Sequence, residues 1–111
     1  MQQQDRPRPP AGVPRGYLGV TVQPVALPAD LAEALGQDSG ILLTSVESGS
    51  PAAAGGLLLG DTIVSFDGAR VRNHEDLLAL LVGDRAGKTV AVGIVRGGKQ
   101  ERVMVAVGER E

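Results

Sequence analysis

The sequence predicts an α+β domain dominated by β-structure: a small, mostly antiparallel sheet of about five strands, curled over one main helix and one or two short ones. Three observations carry that expectation. Apolar runs in the 111-residue chain are short and separated by turn residues. Two pairs, Asp67-Gly68 and Gly97-Gly98, have the composition of two-residue hairpin turns. The helical patterns are brief capped stretches lying between the strands. A chain of this length holds one core and has no room for a second.

The elements follow in order. Residues 1–14, MQQQDRPRPPAGVP, are polar and proline-rich and are expected to form a flexible linker, which implies a domain upstream. The folded domain is expected over 15–108, with 109–111 as a tail. The first strand is read over 17–24, with Gly19 near its start. Glycine inside a strand-like run marks a bulge, a bend or the close approach of another backbone. In LPADLAEALG, Leu27, Leu31 and Leu35 stand one helical turn apart, and Gly36 is a natural C-terminal stop. A strand over 40–46 follows, then SPAAAG, with Ser50 as cap, Pro51 at the first helical position and Gly55 or Gly56 as terminator. The strand over 62–66 leads through the Asp67-Gly68 turn into a short arm at 70–71. The main helix, NHEDLLALLVG, has Asn73 as cap and Glu75 and Asp76 at its positive end, and it ends by Gly83. Strands over 89–96 and 101–107 complete the sheet.

Composition removes several classes of function. Tyr17 and Phe66 are the only aromatic residues, so stacking on bases is implausible, and a net charge of −2 with no basic stripe leaves no footprint for nucleic acid or an anionic membrane. No apolar run approaches the ~18 residues of a membrane span, so direct insertion by this chain is not expected. Cysteine is absent and His74 is the single histidine, which excludes disulfides, thiolate sites and histidine clusters. No metal and no cofactor is expected.

Two segments imitate catalytic motifs. Asp38-Ser39-Gly40 has the look of a serine nucleophile segment, but only His74 could serve as its base. Gly93 to Gln100, GIVRGGKQ, nearly spells a phosphate-binding loop. Gln100 replaces the metal-binding hydroxyl, however, and the residues after it alternate like a strand where such a loop must open a helix. No catalytic residue is assigned.

What remains is an unguarded strand. Leu18, Gly19, Val20, Thr21 and Val22 carry no charge and no proline before Pro24, and at a sheet edge such a run offers unpaired backbone groups to another chain.

Three features occur in order: YLGV opening that strand, SGSPAAAGGLLLGDTIVSFDGARV in the middle, and the capped helix NHEDLLALLV. Together they resemble a PDZ domain, most closely the PDZ domains that follow the trypsin-like protease domain of the HtrA (Deg) family. The resemblance covers nearly everything from Arg15 to Val107. It implies a module that binds the C-termini of substrate or partner proteins beside an upstream protease domain, outside the cytoplasm, in the periplasm or membrane-anchored. It also implies a permuted strand order, with the loop strand early and 101–107 closing the sheet.

On that resemblance the amides of Leu18, Gly19 and Val20 form a nest for a peptide carboxylate, and Arg15 helps to hold it. The peptide then adds as a strand beside Val20, Thr21 and Val22, with Tyr17 also in the peptide groove. His74, Leu77, Leu78 and Leu81 supply the opposite wall, and some of the leucines at 77, 78, 80 and 81 must face the sheet instead. Competing readings stay open: Gly19 as a simple bulge, His74 as a solvated first-turn residue, and Arg15 as an exposed linker charge. The module could also belong to another membrane-associated protease, or serve assembly with its groove occupied from within.

Overall fold

The computed structural model describes residues 15–82 and 85–110. The expected linker at 1–14 and the helix end at Gly83 lie outside them. The order is β1 (Arg15–Tyr17), β2 (Val20–Ala26), α1 (Ala29–Leu35), β3 (Ser39–Val46), α2 (Pro51–Gly55), β4 (Thr62–Phe66), β5 (Ala69–Arg70), α3 (His74–Leu81), β6 (Thr89–Arg96), β7 (Lys99–Ala106) and β8 (Gly108–Arg110).

The main sheet runs β2-β3-β4-β6-β7, with β5 paired to β4, and every pairing is antiparallel. Turn chemistry sets its hairpins. Asp67 and Gly68, at φ 55 and 84, join β4 to β5, while Gly97 and Gly98, at φ 60 and 80, join β6 to β7 with Arg96 opposite Lys99. Positive φ at both central positions matches the right-handed twist of the flanking strands. The near-match to a phosphate loop is therefore a hairpin, and Ser39 is a strand residue whose hydroxyl donates to the Arg72 carbonyl at 3.0 Å.

Alternation along the strands builds the core. Ile41 and Leu43 of β3, Val90, Val92 and Ile94 of β6, and Val103 and Val105 of β7 turn to one face, and an irregularity between Ile63 and Ser65 lets both Ile63 and Phe66 of β4 join them. Leu77 and Leu81 of α3 join them there with Leu18, Ala52, Leu57 and Val71. The helix caps work as the residue types require: Ser50 Oγ accepts from the Ala53 amide at 3.1 Å, and Asn73 Oδ1 from the Asp76 amide at 2.9 Å.

Several expectations change. The strand expected over 17–24 is split, because Gly19 at φ 83 turns the chain between β1 and β2. Residues 109–111, expected as a tail, give Glu109 and Arg110 to β8, which pairs with β1. The segment expected over 101–107 forms most of β7, the last strand of the main sheet, at the edge beside β6. A separate two-stranded ribbon, β1-β8, pairs the first and last described segments. In α1 no residue is buried, and Leu31 and Leu35 are only half-buried.

Candidate functional site

The site begins at the turn between β1 and β2. Gly19 holds φ 83, where a side chain would be strained, and a Cβ placed on it would stand 2.4 Å from Ser50 Cβ. No other residue fits. The turn is also fixed by its carbonyls: Leu18 O accepts from the Ala52 amide at 3.0 Å and Gly19 O from the Glu47 amide at 2.9 Å. The first carbonyl is thus tied to α2 and the second to the residue just after β3. Among the described residues the amides of Leu18 and Gly19 meet no backbone acceptor.

From this turn β2 runs along one edge of the sheet, its other side paired to β3. An edge position tolerates Pro24, whose missing N–H would break a central strand. Facing the edge is α3. Its i and i+4 residues Leu77 and Leu81 are buried in the core, whereas Leu78 is 48% exposed and His74 is exposed in the first turn. Between helix and strand lies a groove of about 400 Å³.

That groove gathers nearly every residue singled out from the sequence. Tyr17, Leu18, Gly19, Val20, Thr21 and Val22 line one side, and His74, Leu77, Leu78 and Leu81 line the other. The leucines divide their duties: Leu77 and Leu81 belong to the floor and the core, Leu80 packs against the core, and Leu78 stands at the rim. Leu18 is only 2% exposed, so it is chiefly a core residue that reaches the groove. Arg15 is placed as the first residue of β1, opposite Arg110.

Three lining residues were not anticipated: Gly16, Ser45 and Glu47. Gly16 is needed because a Cβ there would meet Leu81 Cδ2 and the Leu81 carbonyl at 2.9 Å, so β1 lies tight beneath the end of α3. Ser45 is the cross-strand partner of Thr21, and their hydroxyls are 2.8 Å apart. Glu47 accepts a hydrogen bond from the Tyr17 hydroxyl. Only the register of β2 on β3 reveals the last two, since neither belongs to a recognisable local pattern.

The strongest charge pair lies elsewhere. Asp61, 2% exposed, accepts from Arg96 Nε at 2.8 Å, Arg96 Nη2 at 2.7 Å and the Leu58 amide at 2.8 Å. Burial alone pushes its carboxyl up, but the hydrogen bonds from Arg96 and Leu58 outweigh it and hold the group below its ordinary value. The pair fixes the loop between α2 and β4, where Arg96 Nη2 also donates to the Gly56 carbonyl at 2.9 Å.

Comparison with known proteins places this geometry. Residues 16–107 match the model of the PDZ domain family. A probable periplasmic serine endoprotease, DegP-like, from Pseudomonas putida is 40% identical over 98 residues, which is 86% of this chain and 20% of that protein. A protein of the same description from Rhizobium meliloti is 37% identical over 98 residues, with 86% and 19% covered. The chain thus spans about a fifth of the length of the curated relatives it matches. Among solved structures, the HtrA-type protease AlgW with a decapeptide superposes with a TM-score of 0.70 at 34% identity, covering 88% of this chain and 30% of the other. The HtrA3 PDZ domain bound to a phage-derived ligand shares the fold, with a TM-score of 0.66 at 20% identity and 87% and 88% coverage. Among the described residues no helix is long and apolar enough to cross a membrane. The chain therefore belongs to the PDZ domain family and resembles, within it, the PDZ domains of HtrA-type serine endoproteases.

Proposed function

We propose that this domain binds the free C-terminus of another protein by adding it as a strand to β2. The observation that carries the reading is the open, uncharged edge of Val20, Thr21 and Val22 beside a groove that ends at the Gly19 turn. The carboxylate sits on the amides of Leu18, Gly19 and Val20, helped by Arg15. The terminal side chain enters between Val20 and the Leu77, Leu78 and Leu81 wall, which suits Val, Leu, Ile or Ala. His74, at the mouth, accepts a hydroxyl from Ser or Thr two residues before the end. A few edge hydrogen bonds, one charged contact and one buried side chain, less the entropy of ordering a peptide, give roughly micromolar affinity, about −8 kcal/mol.

The parent protein is, on this reading, an HtrA-like serine endopeptidase acting outside the cytoplasm, in which the domain delivers substrate or shifts the protease between states. The names of the curated relatives support this, as does the decapeptide in the similar HtrA-type structure.

A library of peptides differing in their last three residues, each made as free acid and as amide, tests the mode of recognition on the whole 111-residue chain. Free acids with aliphatic ends should bind and their amides should not. A preference for Ser or Thr two residues from the end should disappear in His74→Ala. Equal binding of acids and amides would remove the carboxylate nest.

A further inference from the structure

We infer that Glu47 makes the groove selective for a basic side chain at the penultimate position of the bound C-terminus, an inference that rests on the strand-addition reading above. Antiparallel pairing with the terminal residue opposite Val20 puts the penultimate residue opposite Thr21. Side chains alternate between the faces of a strand. Val20 and Val22 pack against the core, whereas Thr21 is exposed and shares hydrogen bonds with Ser45 Oγ at 2.8 Å and Thr44 Oγ1 at 2.9 Å. The penultimate side chain therefore lies on the Thr21 face, away from α3, where hydroxyls meet it.

Glu47 stands on that side of the groove. It is two residues beyond Ser45, the partner of Thr21, which makes it a diagonal neighbour of Thr21 and one strand removed from the peptide, so only a long Lys or Arg chain laid across the Thr21 hydroxyl reaches it. Its position is held at both ends: its amide donates to Gly19 O at 2.9 Å, and its carboxylate accepts from the Tyr17 hydroxyl. One hydrogen bond leaves a carboxylate with ample acceptor capacity. Among the described residues it is the one carboxylate that lines the groove.

The charge has a second consequence. Gly19, whose amide belongs to the nest, is tied to Glu47 through its own carbonyl, so an incoming terminal carboxylate meets a like charge close by. A Lys or Arg one residue before the end lies between the two carboxylates and relieves that repulsion. A Glu there adds a third.

Three free-acid peptides ending in Val, identical except for Lys, Gln or Glu at the penultimate position, are titrated against the whole chain and against Glu47→Gln. The unmodified domain should bind Lys over Gln and Gln over Glu, by about two- to fivefold per step as expected for exposed ion pairs. The ranking should weaken in high salt and flatten in Glu47→Gln, in which the amide oxygen still accepts from Tyr17. Thermal melts show whether that variant keeps its fold. Equal binding of the three peptides, or a ranking unchanged in Glu47→Gln, overturns the inference while leaving strand addition intact. If no free-acid peptide binds, strand addition fails and the selectivity falls with it.

Discussion

The two edges of the main sheet are treated in opposite ways. At β7 the helix α2 lies directly on the strand: a Cβ on Gly55 would stand 2.8 Å from Val105 Cγ2 and 3.1 Å from the Met104 carbonyl. The part of the edge at the start of β7 carries Lys99, Gln100, Glu101 and Arg102, all exposed, the usual protection against another strand. At β2 the facing helix presents leucines, not Ala and Gly, and a groove of about 400 Å³ separates it from an edge without charge. Small residues let a helix seal an edge; large ones hold it off. The open edge is thus a consequence of side-chain size on α3 as much as of the strand itself.

Sealing can be broken first. Gly55→Leu should force α2 away from β7 and cost about 1–3 kcal/mol by overpacking, measured by denaturant unfolding. Peptide affinity, where the fold persists, should change little. Gly19→Val strikes the open edge and should cost about 1–3 kcal/mol through backbone strain, with detectable peptide binding lost. The contrast between the two variants, equal in stability and opposite in binding, is what distinguishes an edge that serves structure from one that serves recognition.

Leu78→Ala is gentler. The side chain sits at the rim, so stability should stay within about 0.5 kcal/mol, while affinity for peptides with large aliphatic ends falls by about threefold to tenfold, corresponding to roughly one methylene or two of lost burial. The smallest effect concerns Asp61, beside the closed half of the sheet. Its folded pKa is depressed, so it adds stability above its ordinary value of 3.8 and loses that contribution as pH falls through the folded value. A Tm series against pH should show an acid-side drop that is shallower in Asp61→Asn, with peptide binding at neutral pH unaffected.

Much of this contrast was legible in the chain. The bounds of β4 and β6 follow from alternating apolar residues running into two-residue turns, which is local information. Both walls of the groove were legible too, since the glycine in YLGV and the capped helix after Asn73 each carry a local signature. The β1-β8 ribbon was not: its strands are three residues each, contain Gly16 and Gly108, and pair segments far apart in the sequence. Ser45 and Glu47 were missed for a related reason. They enter the groove only through the register of β3 on β2, shifted between Thr21 and Val22. Long-range pairing is what a periodic pattern does not encode.

The central claim, that β2 and not β7 receives a partner chain, is tested most directly by following backbone amide NMR signals of the whole domain during titration with a free-acid peptide ending in Val. The account predicts the largest shifts at Leu18, Gly19, Val20 and Val22, smaller ones along α3, and none across Lys99–Ala106. The amidated peptide should leave the spectrum unchanged. Shifts concentrated on β7, or the same pattern from the amide, would contradict it.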